Sequence, residues 1–486
     1  VFHHRSLLRI LSIVAVLISS FLVLLGIFSL AEGEGLKVFL SFVAPATLGL
    51  AFFAIMAFIS RKDGRPFLTN KEGFFFVTFS WLMSSLLAAL PFFLSGFIPS
   101  YVDAFFEVMS GFTTTGASIL TNIEVLPRSL LLWRATTHWL GGMGIVVLTV
   151  AIFPLLGFGG LRLMEAEAPG PSVDKITPRV SGTAKIFWFI YLGLTAAQTI
   201  MLMLGGMDWF DALSHTFATV ATGGFSAKNS SIAHYNSPYF DAVIMLFMLL
   251  AGMNFTLHFR IIMGKGRMAI RDPELRAYLL IFGLSSLVIA LDLRGHGLFG
   301  NLPNALRFAG FQSASILTTT GFATADFAHW PPASQIVLFF LMFIGGCAGS
   351  TGGGIKVIRI VTLFKMAFTE MRYLMNPKGV YAIFVNGKAL RKNVVYDTAA
   401  LVFLYFAFMI VSFVVVGLGG YDITTSVTAT LANLGNIGPG FALVGPTANY
   451  SFFPWWIKLW LSFAMLVGRL EVYTVLVLFT RRFWKS

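Results

Sequence analysis

The sequence predicts an all-α membrane protein of ten transmembrane helices, with four short re-entrant half-helices dipping back between them. Three observations lead there. The 486-residue chain is 57% hydrophobic and only 11% charged, whereas a soluble globular chain carries about 25% charged residues. Its apolar residues gather in runs of about 20, the length that crosses roughly 30 Å of hydrocarbon as a helix. Its basic residues sit in every second connection between those runs. Of the 34 Lys and Arg, 26 lie at the N-terminus (Arg5, Arg9), in 61–73, 158–185, 260–276 and 356–392, and after Thr480. The intervening connections hold Glu32, Glu34, Asp103, Glu107, Asp211, Asp326 and Asp422. This is the positive-inside pattern. It assigns the net charge of +13 to topology rather than to nucleic-acid binding, and it places both termini in the cytoplasm.

The spans run roughly 10–30, 36–60, 74–98, 129–157, 186–206, 238–259, 277–293, 333–364, 394–418 and 455–480. The first run, Ile10 to Leu30, is longer than the apolar core of a signal peptide and lacks a clear small-x-small cleavage site, so it reads as a retained span. The single cysteine, Cys347, excludes a disulfide framework and a cysteine-based metal site. The eight histidines are scattered, with no H-x-x-x-H pair, and no metal centre is expected. A membrane enzyme would need His, Asp or Ser converging at one depth. No such set can be assembled, and the chain reads as a non-enzyme.

Four connections are too short and too polar to cross twice, the first being Tyr101 to Pro127. Irregular backbone at membrane depth survives only where it lines a water-filled cavity or is buried in protein. The four segments also repeat. Phe106 to Gly116 (FEVMSGFTTTG) aligns without gaps on Phe311 to Gly321 (FQSASILTTTG). Leu213 to Gly223 (LSHTFATVATG) and Thr428 to Gly438 (TATLANLGNIG) have the same length and the same terminal glycine. The glycines lie 107, 98 and 117 residues apart, room for two spans and a loop per repeat. The chain divides accordingly into a two-helix extension (1–70) and pore repeats at 71–158, 159–262, 263–378 and 379–486, arranged pseudo-symmetrically around one pore.

A dehydrated cation exchanges its water shell for a cage of oxygens, and backbone carbonyls supply one without a trapping full charge. Aiming successive carbonyls at one axis requires positive φ, which glycine adopts freely. The half-helix before each return directs its partly negative C-terminus at the cation. The cage-lining residues are then Thr114, Thr115, Gly116 and Ala117; Thr222, Gly223 and Gly224; Thr319, Thr320, Gly321 and Phe322; and Asn436, Ile437, Gly438 and Pro439.

With these loops the chain resembles the TrkH/KtrB/HKT superfamily of potassium transporters, and within it the TrkH-type branch, over essentially its whole length. That branch carries two extra N-terminal helices, matching 1–60, and a fourth loop like Asn436 to Gly440 (NIGPG). The resemblance implies potassium uptake across the bacterial inner membrane, with potassium as the permeant ion and glycine at the key loop positions conferring its selection. It implies a homodimer with one pore per chain, and a cytoplasmic ring of TrkA-like nucleotide-binding regulatory subunits, since the chain has no Rossmann fingerprint and binds no nucleotide itself. A sodium- or proton-coupled secondary cation transporter is the alternative. The basic connections 158–185, 260–276 and 356–392 are the candidate docking surfaces.

Two further features acquire roles from the resemblance. The eighth span is interrupted by Gly345, Gly346, Gly349, Gly352, Gly353 and Gly354, with Cys347, Ala348, Ser350 and Thr351 between them. At about 1 kcal/mol per glycine this stretch unwinds, and in TrkH-type chains it is a movable gate. Close packing of small residues is the other reading. A phosphate-binding loop is excluded, because Lys356 lies between Ile355 and Val357. Arg469, with Glu471, lies inside the last span, where an ionisable group is costly and functional by default. The resemblance puts Arg469 just below the cage as a barrier to cations; a buried Arg469–Glu471 pair is the competing reading. Arg134 and His138 read as packing or interfacial groups.

Overall fold

The computed structural model describes residues 3–59, 69–144, 180–385 and 388–484. The connection at 61–68, the second half of the expected fourth span (145–157), the 158/159 repeat boundary and most of the basic connection 158–185 lie outside the described residues. Among the described residues the only strands are a two-residue pair, Phe384–Val385 against Lys388–Ala389, a small departure from an all-helical chain.

Long apolar helices carry the frame: α1 (His4–Ala31), α2 (Leu36–Ile59), α3 (Asn70–Ser95), α6 (Val180–Leu204), α10 (Pro273–Gly295) and α14 (Lys392–Gly417). These six are long and apolar enough to cross a membrane; at 1.5 Å per residue even the shortest exceeds the hydrocarbon thickness. Local chemistry sets their ends. Thr69 and Glu72 form a reciprocal capping box at the start of α3, and Gly96 closes it at φ +86°. Asp272 caps α10, followed by Pro273 in the first turn. The outward stripe of α10, including Leu280, Leu284 and Leu291, is exposed as a lipid-facing surface must be.

Between the long helices lie four short ones: α4 (Tyr101–Phe112), α7 (Trp209–Val220), α11 (Leu302–Leu317) and α15 (Ile423–Leu434). Their 12, 12, 16 and 12 residues span only about 18–24 Å, too little to cross. Each begins on a side-chain cap, from Ser100, Asp208, Asn301 and Asp422 respectively. The helices that follow them are α5 (Arg128–Gly142), α8 (Pro238–Ala251), α12 (Pro332–Leu341) and α16 (Trp455–Arg469). Three of the short helices pack against such a following helix of a neighbouring repeat: α4 lies against α16, α7 against α5, and α11 against α8.

The following helices are not straight spans. α8 turns by 101° into α9 (Phe255–Ile262), and α16 by 115° into α17 (Glu471–Leu476). The expected continuous spans 238–259 and 455–480 are therefore bent. The causes are local: Asn254 caps α9 by accepting from the Thr256 amide, and Glu471 takes a left-handed φ of +58°. The eighth span ends at Leu341 and resumes as α13 (Val357–Met375), leaving 342–356 as loop.

One buried ion pair ties the first short helix and α5 to the first two returns. Arg134 of α5 donates to Glu107 of α4 at 2.6 Å and to the Ser226 carbonyl at 2.8 Å, with its guanidinium 3.6 Å from the centre of the Phe225 ring. Glu107 also accepts from Ser118 and from the Ile119 amide. Arg134 is thus a structural keystone rather than an interfacial group. Removing one member of such a pair leaves an uncompensated charge worth about 3–5 kcal/mol. Glu107→Ala is expected to lower stability by that amount, and Glu107→Gln, which keeps an acceptor, by clearly less. Thermal unfolding in detergent tests this; a Glu107→Ala cost under about 1 kcal/mol, the size of an exposed pair, would contradict it.

Candidate functional site

The four short helices end in the same way. The amide of Thr115 bonds the Ser110 carbonyl and that of Thr114 the Gly111 carbonyl. The corresponding pairs are Gly223 to Ala218 with Thr222 to Thr219, Thr320 to Ser315 with Thr319 to Ile316, and Ile437 to Ala432 with Asn436 to Asn433, all at 2.8–3.2 Å. This is the Schellman arrangement, which places one residue in the left-handed region and is usually built with glycine there. Here the left-handed residues are Thr114 (φ 54°), Thr222 (54°), Thr319 (59°) and Asn436 (54°). A β-branched residue at positive φ is a true outlier, and it occurs three times in one site.

Two residues further on, a glycine is left-handed in each return: Gly116 (80°), Gly224 (80°), Gly321 (83°) and Gly438 (95°). The structural equivalent in the second return is therefore Gly224, one residue beyond the glycine that the sequence alignment selects. The shift has a simple origin: Gly223 and Gly224 are adjacent, and only φ distinguishes them. The four glycines close a ring. A Cβ on Gly116 would overlap the Gly223 carbonyl oxygen, one on Gly224 that of Thr320, one on Gly321 that of Ile437, and one on Gly438 that of Thr115. Each repeat's backbone leans on the next, with no room for a side chain. Above the ring opens a vestibule of about 170 Å³, lined by the four glycines with Ala117, Pro439 and Tyr450. Phe322 instead stands behind the ring, its carbonyl accepting from Ser315, and the Gly438 carbonyl accepts from the Tyr450 hydroxyl at 2.7 Å.

A polar side chain braces each return from its own short helix. Glu107 holds Ser118, His215 holds Ser226 at 2.9 Å, Gln312 holds Thr324 at 3.3 Å, and the Thr428 hydroxyl accepts from the Phe441 amide at 3.1 Å. His138 stacks on Phe225 with ring centres 4.0 Å apart. Sequence reasoning did not single out these braces. The signal existed: with the second repeat registered on Gly224, His215 falls opposite Glu107 and Gln312.

Beneath the ring lies the unwound loop 342–356. The Gly353 amide donates to the Thr319 hydroxyl at 2.7 Å, and the Thr222 hydroxyl meets that of Thr351 at 3.3 Å. Gly353 also abuts Gly435 and Asn436 closely enough that a Cβ would meet the Gly435 oxygen at 2.6 Å. The loop folds on itself: the Gly345 amide bonds Ile355, the Gly346 carbonyl accepts from Val357, and Lys356 bonds the Gly352 carbonyl. Gly349 and Gly354 are left-handed, and the Gly349 carbonyl accepts from Phe255. Arg469 joins loop to ring. Its guanidinium donates to the Thr114 hydroxyl (3.1 Å) and the carbonyls of Thr351 (2.6 Å), Gly141 (2.6 Å) and Gly142 (2.9 Å). Glu471 binds Arg359 of α13 at 2.6 Å.

Comparisons with known proteins agree with this architecture. Residues 46–486 match the TrkH family, cation transport protein. The chain is 38% identical to the Trk system potassium uptake protein TrkH of Escherichia coli K12 and 39% identical to that of Vibrio parahaemolyticus, covering 99–100% of both chains in each case. It superposes on the crystal structure of the potassium transporter TrkH from Vibrio parahaemolyticus with a TM-score of 0.88 at 36% identity, over 99% of this chain and 100% of that one. The chain belongs to the TrkH family of membrane cation transporters and is not an enzyme.

Proposed function

We propose that the ring of Gly116, Gly224, Gly321 and Gly438 is the selective passage for potassium ions, in a pore formed by four helix–loop–helix repeats at 71–158, 159–262, 263–378 and 379–486. The observation that carries this reading is ring closure: four returns meet backbone to backbone, each behind a short helix whose C-terminal end faces the centre. Carbonyl oxygens and helix ends together replace hydration water around a monovalent cation without a full charge to trap it. Potassium as the ion follows from the relatives' names. The same reading sets the chain in the bacterial inner membrane with both termini cytoplasmic, as a homodimer with TrkA-like nucleotide-binding subunits against its basic connections.

In this reading the 342–356 loop is the gate, and Arg469 is both its tether and an electrostatic barrier. A positive charge at the inner mouth opposes cations where little water screens it. Movement of the loop would take Gly353 from Thr319 and Thr351 from Arg469, leaving the path open. Coupled transport by sodium or protons would show as strict dependence of flux on the second ion.

Reconstitution of the purified chain in liposomes tests the reading. Rubidium-86 uptake down a potassium gradient is expected, with sodium and lithium competing poorly. Ser at any one of the four ring glycines is expected to lower the potassium-to-sodium ratio. Unchanged ratios in all four variants would remove the ring from the pathway. Arg469→Ala is expected to raise flux by about tenfold or more, which corresponds to ~1.4 kcal/mol off the barrier, with Arg469→Lys intermediate. Loss of protein with unchanged flux per folded molecule would make Arg469 a scaffold residue.

A further inference from the structure

A carboxylate outside the ring organises the loop beneath it. Glu274 lies in the first turn of α10, only 5% exposed. One of its oxygens, Oε1, accepts from two amides far away in sequence, Ala348 at 2.7 Å and Ile358 at 3.1 Å. Ala348 is in the middle of the unwound loop, and Ile358 is in the first turn of α13. The first amides of a helix have no partner within it, and α13 receives no side-chain cap from its own N-terminal residue, Lys356. Glu274 supplies that cap from another helix, where a negative charge also suits the helix dipole. Its own position is fixed, because Asp272 accepts from the Glu274 and Leu275 amides at 2.9 and 3.1 Å and Pro273 restricts the turn.

We propose that Glu274 is the clamp that holds the 342–356 loop in its blocking position, by tying the loop and the start of α13 to the N-terminal end of α10. The geometry makes α10 a lever. The segment entering it carries Lys265, Arg267 and Arg271, so a displacement of that basic connection moves Glu274 and releases the loop and the start of α13 together. This assignment rests on the reading of the loop as the gate, yet it makes a prediction that involves no ion.

Cys347, the only cysteine in the chain, is buried beside Ala348 and reports loop opening directly. The experiment measures alkylation of Cys347 by N-ethylmaleimide in the full-length chain, in detergent and in liposomes, alongside rubidium flux. Losing both hydrogen bonds in Glu274→Ala is expected to speed alkylation about tenfold or more. Glu274→Gln, which keeps an acceptor oxygen at the same reach, is expected within about threefold of the parent. If Glu274→Ala is not recovered from membranes, Glu274→Asp draws the carboxylate back by one methylene and gives the same comparison. Unchanged alkylation in the variant that breaks the contact overturns the clamp, as does an equal rise in Glu274→Gln. Faster alkylation with unchanged flux upholds the clamp and removes the loop as the gate.

Discussion

The centre of this protein depends on keeping four residues other than glycine in left-handed backbone at the ends of four short helices. Thr114, Thr222, Thr319 and Asn436 sit there at a cost of about 1–3 kcal/mol each. The conformation does what an ordinary helix end cannot. It turns the chain within two residues, so that the next carbonyl and the next glycine face a neighbouring repeat, while the side chain of the left-handed residue drops below the ring. Glycine at these four positions would relieve strain but remove the hydroxyl and amide groups through which the ring meets the loop beneath. The strain and the inner contact surface come from the same residues.

Such a conformation persists only where its surroundings over-determine it. Above and behind the ring, the four braces from Glu107, His215, Gln312 and Thr428 bind the outgoing chain of each return. Below it, Arg469 and the 342–356 loop engage Thr114, Thr222 and Thr319. The braces are chemically unlike one another: a carboxylate, an imidazole, an amide and a hydroxyl. Four-fold geometry is thus kept with four-fold chemistry abandoned, as a single chain permits. The underside is less symmetric still, since one loop from one repeat meets the second, third and fourth returns and Arg469 meets the first.

Much of this was legible in the sequence. Apolar runs, alternating basic connections and four polar segments of matching length located the frame and the site. Ten consecutive small residues, Gly345 to Gly354, marked where the eighth span unwinds. What escaped had physical reasons. Hydropathy continues through Gly252–Asn254 and Leu470, so it reports membrane depth but not direction, and the two sharp bends were invisible. The Gly223–Gly224 pair offered two registers, and choosing the first hid the His215 brace. Glu107 and Glu274 looked like residues of connections; their roles come from partners Ser118, Arg134, Ala348 and Ile358 that are assembled only by folding. Arg469 stood out as an ionisable group inside a span, but its partners are a hydroxyl at Thr114 and carbonyls of two other segments, Gly141–Gly142 and Thr351, which no local pattern encodes.

The central claim is that the space enclosed by Gly116, Gly224, Gly321 and Gly438 is where a dehydrated potassium ion sits. Anomalous diffraction from crystals grown in rubidium in place of potassium tests that without reference to flux. The account predicts an anomalous peak on the axis of the ring, level with the carbonyls of Thr115, Gly223, Thr320 and Ile437, that disappears when sodium replaces rubidium. A peak confined to another part of the chain, or an empty ring in rubidium, would contradict it.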